Sequence, residues 1–325
     1  WLDYVLWLQD PAIQRRRAEN HEYWIALLRN IGSTGALAGS VGLPPLRGYG
    51  ASRSERRMDP AFMSSLAATA AAEKSTFYVF TLSCFVALLG RLTRSGRVCV
   101  GVPAAGQPDF GENRLSGACI NTLPLVVDVT PDMTLRECLL RVRRSLYQAQ
   151  GQVPFTYTEV LQELPGAVAG GRLPVITMLF NVDQERRELD FRGLVASYQI
   201  EPRCAEKFEV SVNFVHFGTN SIVQGTFNND LFRPEDRSAF MRSYVAVLEQ
   251  AVADPGVRIA DLALEEGNLA GVAGPVYPAE EFLGARIARI RSAPDGMARQ
   301  AFPDVEFALR QADAVMQEFG IRRSN

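Results

Sequence analysis

Between Thr76 and Leu92 the sequence TFYVFTLSCFVALLGRL is apolar at almost every position, interrupted only by Thr81, Ser83 and Arg91. A surface helix carries one apolar stripe, whereas a helix that is apolar all round has to be enclosed by other elements. The stretch also falls short of the roughly 20 mostly apolar residues that span a bilayer. It therefore predicts a buried helix central to a folded core, and no membrane span.

The elements around it read as a mixture of helices and strands. Tyr23, Trp24, Leu27 and Leu28 recur at near-helical spacing in the opening segment Trp1 to Leu28, which predicts a helix followed by a long Gly/Ser/Pro-rich loop over Gly32 to Gly50. Arg97 to Pro103 and Thr122 to Val129 are short, β-branched and strand-like, as is Val175 to Val182. Thr134 and Glu137 have the spacing of a capping box, and Leu135, Cys138, Leu139, Val142 and Leu146 follow on one helical face. Phe208 to Phe217 alternates with period two, and Gly218, Thr219 and Asn220 supply a turn, so Ser221 to Asn228 is expected to pair back as a hairpin. A helix containing Phe240, Tyr244, Val247, Leu248 and Ala251 should stop at Asp254 and Pro255. The sum is a mixed α/β domain.

After about Leu264 the texture changes to Gly267, Gly271, Gly274, Pro275 and Pro278, a linker composition. Two helical segments are expected beyond it, the second carrying Leu309, Ala312, Val315, Met316 and Phe319 before Gly320. There is no initiator Met and no readable signal peptide, so the chain is expected to begin inside a larger protein.

Charge excludes some partners. The 34 basic and 36 acidic residues are interleaved to a formal net charge of −2, which gives no field of the kind that captures nucleic acid. Arg15 to Arg17, and Arg56 with Arg57, read as solvated faces. Cys84, Cys99, Cys119, Cys138 and Cys204 form no C-x-x-C pair, a pattern that fits a reducing cytosol better than a disulfide framework or a zinc site.

Candidates for chemistry are few. Of the two histidines, His21 lies in the polar run AENHEY and reads as a surface residue, and His216 ends the apolar face of a strand and reads as a hydrogen-bonded core or edge histidine. No G-x-S-x-G elbow, no G-x-x-x-x-G-K-[ST] and no G-x-G-x-x-G occurs. Residue chemistry alone stops at an α/β domain.

Read as ordered motifs, the same residues go further. WLDYVLW (Trp1 to Trp7) is similar to Y-x-D-Y-A-x-W, and HEYWIALL (His21 to Leu28) to the helix that follows that motif. Thr76 to Gly90 with RVCVGVPAAG (Arg97 to Gly106) resembles a helix and strand ending in G-x-P-x-A-G-R, and GACINTLPL (Gly117 to Leu125) resembles G-x-F-V-N-T-L-P-L-R. VPF (Val153 to Phe155) falls where H-Q-D-x-P-F-E is expected, and Pro174 to Phe180 at P-L-x-x-x-x-F. EKFEVSV (Glu206 to Val212) resembles K-F-D-L, with NDLF (Asn229 to Phe232) at Y-x-x-x-L-F. Together they resemble the nonribosomal peptide synthetase condensation family over residues 1–264. Residues 265–280 then read as a linker, and 281–325 as the beginning of an adenylation domain, because FLGARIARIRSAPDGMA (Phe282 to Ala298) resembles its F…A…T-P-D-x-x-A start and Leu309 to Ile321 its early helix.

The resemblance implies a chloramphenicol-acetyltransferase-like condensation fold of two lobes, with this chain as the C-terminal lobe and a truncated adenylation-domain N-terminus. A tunnel between the lobes would receive the phosphopantetheine arms of peptidyl and aminoacyl carrier protein domains, and an amide would form there. The family's H-H-x-x-x-D-G motif belongs to the missing N-terminal lobe, so no catalytic residue is assigned to this chain. Asn121, in the part that matches N-T-L-P-L, is the candidate for the tunnel wall, with a strand-end cap as its equal alternative. No cofactor or metal is expected to bind directly; ATP and Mg would serve the adenylation domain. The resemblance also implies a cytoplasmic setting.

Gln107 and Val126 stand where the family has Arg, and Gly151 with Gln152 where it has His-Gln-Asp, so ion pairs that hold loops would be lost. Two other readings keep the fold: a non-catalytic platform that docks carrier proteins, and a free-standing coenzyme A-dependent acyltransferase. The last is disfavoured by the adenylation-like tail and by the absence of D-F-G-W. An isolated lobe should expose the apolar face its partner would cover.

Overall fold

The computed structural model describes residues 2–29, 31, 36–38, 48–105, 119–155, 157–162, 176–183, 204–217, 220–265 and 270–272. The chain divides into two units after Tyr277, and every described residue belongs to the first. The expected adenylation-like segment 281–325, most of the linker 265–280, and Gln107 lie outside the described residues.

The opening segment is two helices, α1 (Leu2–Leu8) and α2 (Pro11–Arg29), where the apolar spacing suggested one. Pro11 has no amide hydrogen to continue α1, and the Asp10 carboxylate accepts from Ala12 N at 2.7 Å to begin α2. Strand β1 (Ala36–Ala38) falls inside the expected long loop and pairs with β8 (Ala270–Val272) as a short separate ribbon.

The main sheet has six strands in the order β2-β7-β6-β5-β3-β4. These are β2 (Ala51–Met58), β3 (Arg97–Ala105), β4 (Ile120–Asp128), β5 (Met178–Asp183), β6 (Val210–Phe217) and β7 (Asn220–Asn228). β3 and β5, and β5 and β6, run parallel; the other neighbours are antiparallel. The expected hairpin is β6 with β7, in register from Val210 opposite Phe227 to Phe217 opposite Asn220.

Helix α4 (Phe77–Thr93) is the predicted central helix, and every residue from Phe80 to Gly90 is buried. Its two buried hydroxyls are satisfied within the helix: Thr81 Oγ1 donates to Phe77 O at 2.8 Å and Ser83 Oγ to Val79 O at 2.6 Å. Helix-internal hydroxyl bonds of this kind remove the cost of burying an unpaired polar group. The Phe85 ring meets Phe180 of β5 and Tyr244, with centroids at 5.4 and 5.7 Å, and the Tyr244 hydroxyl donates to Thr81 O at 2.9 Å.

Two further helices flank α4. Helix α5 (Leu135–Gly151) begins with the expected capping box, Thr134 N donating to Glu137 Oε2 at 2.8 Å and Glu137 N to Thr134 Oγ1 at 3.2 Å, and buries the expected stripe. Helix α7 (Pro234–Ala253) gives way at Asp254 before Pro255. Gly225 of β7 allows α7 to close on the sheet, because a Cβ there would stand 2.5 Å from Met241 Sδ and from the Phe227 ring.

Two elements carry no clear pattern in sequence. Strand β2 (ASRSERRM) forms the sheet edge, where charged side chains discourage pairing with another chain. Helix α3 (Pro60–Ala72) is capped by Asp59, whose carboxylate accepts from Ala61 N and Phe62 N at 2.9 and 3.1 Å. Cys84, Cys99, Cys119 and Cys138 are free thiols; burial pushes that of Cys138 up to about 12 and raises those of Cys84 and Cys99, which keeps these three unreactive.

Truncating Phe85 to Ala removes the ring shared by α4, β5 and α7 and should cost about 3 to 5 kcal/mol in a denaturant melt. A pH titration of the same melt has a determined sign. Arg136 donates to both Glu73 oxygens, at 2.7 and 2.9 Å, and holds that carboxyl below its ordinary value of 4.5. Its stabilising contribution is complete above that value and is lost as pH falls through the lowered folded-state one. Glu73→Gln should flatten the acid limb.

Candidate functional site

The segment Gln152 to Phe155, which includes the cis Val153–Pro154 peptide bond, is held by side chains from two sources. From α2, Trp24 Nε1 donates to Gln152 O at 3.0 Å and Asn20 Nδ2 to Pro154 O at 2.9 Å. The Trp24 ring lies on Phe155 with centroids 4.6 Å apart and planes at 24°. Helical spacing explains the pairing, because positions four apart share a face and the two donors reach alternate carbonyls of an extended segment. Helix α6 (Tyr157–Gln162) follows, and Arg17 of α2 reaches Glu159 on it at 3.4 Å.

The second source is Asn121, the residue singled out for the tunnel wall. It lies in β4 opposite Ala104 of β3, and its Nδ2 donates to Phe155 O while its Oδ1 accepts from Thr122 N at 2.9 Å. The carboxamide is thus spent on backbone, tying the start of β4 to the segment behind α5. Where His-Gln-Asp was expected, Gly151 and Gln152 leave a loop held by neutral hydrogen bonds. Val126, at the second altered position, is half-buried in β4 opposite Cys99.

Near the carboxyl end of β5, the face turned from α4 carries a second polar group. Strand alternation puts Phe180 under α4 and turns Asn181 and Asp183 to the opposite side. Asn213, paired with Asn181 across the parallel register, completes the set. Asn213 Nδ2 donates to Asp183 Oδ2 at 2.7 Å, and Asn181 Nδ2 lies 3.0 Å from Asp183 Oδ1 and 3.1 Å from Asn213 Oδ1. All three residues are half-buried.

The polar row continues across the sheet. Gln224 of β7, in register with Asn213, donates to Glu55 of β2 at 3.1 Å, and Arg53 reaches the same Glu55 oxygen at 2.7 Å. Sequence reasoning missed this row, since nothing in FNVD or SVNF announces that two strands separated by other residues lie side by side and parallel. The alternation within each strand was the available signal.

The histidines are not brought together. His21 is half-buried in α2, and His216 sits on β6 in register with Ser221, its side chain outside the described residues. Among the described residues no three His, Cys, Asp or Glu side chains converge as a metal site would require, and no single helix is long and apolar enough to cross a membrane.

This mixed sheet, with α4, α5 and α7 on one face, has known counterparts. The profile of the condensation domain matches residues 1–267. The chain belongs to the condensation-domain family. Among curated relatives, this condensation-family chain is 24% identical over 264 residues to surfactin synthase subunit 2 of Bacillus subtilis (strain 168), covering 81% of the chain and 7% of that protein. It is 27% identical over 276 residues to a dimodular nonribosomal peptide synthase of the same organism, covering 81% and 12%. The chain thus spans a small part of these relatives. Among solved structures, the X-domain from teicoplanin biosynthesis superposes with a TM-score of 0.69 at 20% identity, over 81% of this chain and 61% of that one. The first condensation domain of the calcium-dependent antibiotic synthetase, in complex with a substrate analogue, gives 0.65 at 20%, over 77% and 54%.

If Asn20 and Trp24 hold the 152–155 segment, Asn20→Ala and Trp24→Phe should each cost about 1 kcal/mol. Proteolysis or hydrogen exchange should locate the added opening at residues 152–155, with little change in β6 and β7.

Proposed function

We propose that this chain is the C-terminal lobe of a condensation domain in a nonribosomal peptide synthetase, and that its parent forms an amide between two carrier-bound substrates. The observation that carries the reading is the family match over residues 1–267. It is supported by the coverage of 54% and 61% of two solved relatives by a fold with one main sheet.

In this reading the amine of an aminoacyl thioester attacks the carbonyl of a donor thioester. A C–N bond forms, the C–S bond breaks, the amine gives its proton to a base, and the donor's phosphopantetheine leaves as a thiol. The base is a histidine of an H-H-x-x-x-D-G motif, which the 325 residues do not contain. This lobe supplies one wall of the tunnel, and Asn121 borders it by fixing the backbone at Phe155. Residues 281–325 open an adenylation domain that would use ATP and Mg, joined through the linker 265–280. Peptidyl and aminoacyl carrier domains are the partners, and the setting is cytoplasmic.

A second reading, a non-catalytic docking platform, has one observation in its favour. The teicoplanin X-domain, which has also been solved in complex with OxyB, superposes with a TM-score of 0.68 in that complex, alongside 0.65 for the condensation domain of the calcium-dependent antibiotic synthetase.

Offering the intact parent two loaded carrier proteins separates the two readings. Mass spectrometry should find the extended acyl chain on the acceptor carrier, and replacing the second histidine of the parent's motif by Ala should abolish it. Carrier binding without product at any substrate pair would instead establish the platform.

A further inference from the structure

The group formed by Asn181, Asp183 and Asn213 is unlike the other polar contacts of the sheet. Both Asp183 oxygens accept from neutral amides, Oδ2 from Asn213 at 2.7 Å and Oδ1 from Asn181 at 3.0 Å. Each carboxylate oxygen has more than one acceptor direction, so the two amides orient the group without saturating it. Being neutral, neither amide compensates its charge. Among the described residues no Lys or Arg forms an ion pair with Asp183, whereas Glu55, farther along the same row, is paired with Arg53 at 2.7 Å.

Position adds to this. Asp183 stands at the carboxyl end of β5, and Asn181 and Asn213, in register with each other, lie beside it on the face not covered by α4. In open α/β sheets, ligands gather outside the carboxyl ends of the strands. A half-buried carboxylate that is held rigidly, with no cation paired to it among the described residues, favours a positively charged ligand, and the attraction is stronger there than between groups in free water.

We propose that Asp183, oriented by Asn181 and Asn213, binds the cationic side chain, ammonium or guanidinium, of one of the two carrier-bound substrates. The inference rests on the tunnel reading given above and names a substrate class for it. The bound cation is a side chain and not the attacking amine. A carboxylate against the attacking amine would favour its protonated form, which has no lone pair for the carbonyl carbon. The substrate therefore carries two basic nitrogens when it is the acceptor, or a basic residue at its reactive end when it is the donor.

The test uses the intact parent and four aminoacyl N-acetylcysteamine thioesters: ornithinyl and norvalyl, each with a free amine and each N-acetylated. The free-amine pair reports the acceptor side and the acetylated pair the donor side. By isothermal titration, one ornithinyl probe should bind about tenfold more tightly than its norvalyl counterpart. Asp183→Asn, nearly the same shape, should erase that difference and leave norvalyl affinity unchanged. Asp183→Lys, read with a glutamyl probe, should prefer the anion, and thermal melts of both variants should stay near that of the unaltered protein.

Equal affinity of the unaltered parent for the ornithinyl and norvalyl probes, no binding of either, or a loss shared equally by both probes in Asp183→Asn would overturn the proposal. A parent that discriminates in binding and yet forms no amide from any substrate pair would sink the catalytic reading while leaving this site standing. A parent that forms amides with no Asp183-dependent preference would do the reverse.

Discussion

Enclosure of α4 is the constraint from which the rest of the fold follows. Its side chains from Phe80 to Gly90 are buried on every side, so the helix needs a sheet beneath it and helices along both flanks. β5 and β6 supply the aromatic floor through Phe180 and Phe214, and α5 and α7 close the sides. Tyr244 locks the arrangement by combining ring contacts with a hydrogen bond to the helix backbone at Thr81. A large aromatic that also satisfies its hydroxyl can be buried without the cost of an unpaired polar atom.

Placing those helices on one face decides where chemistry can occur. In β5 and β6, Phe180, Val212 and Phe214 turn to the helices, which leaves Asn181, Asp183 and Asn213 on the opposite face. Because side chains alternate with period two, a slip of one residue would bury the carboxylate and expose the rings. The register that builds the core therefore also builds the polar cluster, and the two cannot be altered separately.

The segment behind α5 illustrates how a divergent member of the family keeps its loops. Where charged residues were expected before P-F, this chain has Gly151 and Gln152, and the carbonyls of Gln152, Pro154 and Phe155 are held by Trp24, Asn20 and Asn121. Neutral bonds to backbone carbonyls do not depend on which side chains the loop carries. Such a loop tolerates substitution while its path is retained.

Much of the helical layer could be read directly from the sequence. The all-round apolarity of Thr76 to Leu92, the Thr134/Glu137 capping box and the alternation of Phe208 to Phe217 depend on near neighbours and appear in the structure as expected. The polar edge strand β2 and the break at Asp10–Pro11 were less legible, the first because an edge strand needs no apolar pattern. Tertiary structure alone decided that Asn181 and Asp183 meet Asn213, and that Asn121 reaches Phe155. Periodicity assigns a residue to a face, but it carries no information about which distant strand lies beside it; that follows from how α4 is enclosed, which is a property of the whole chain.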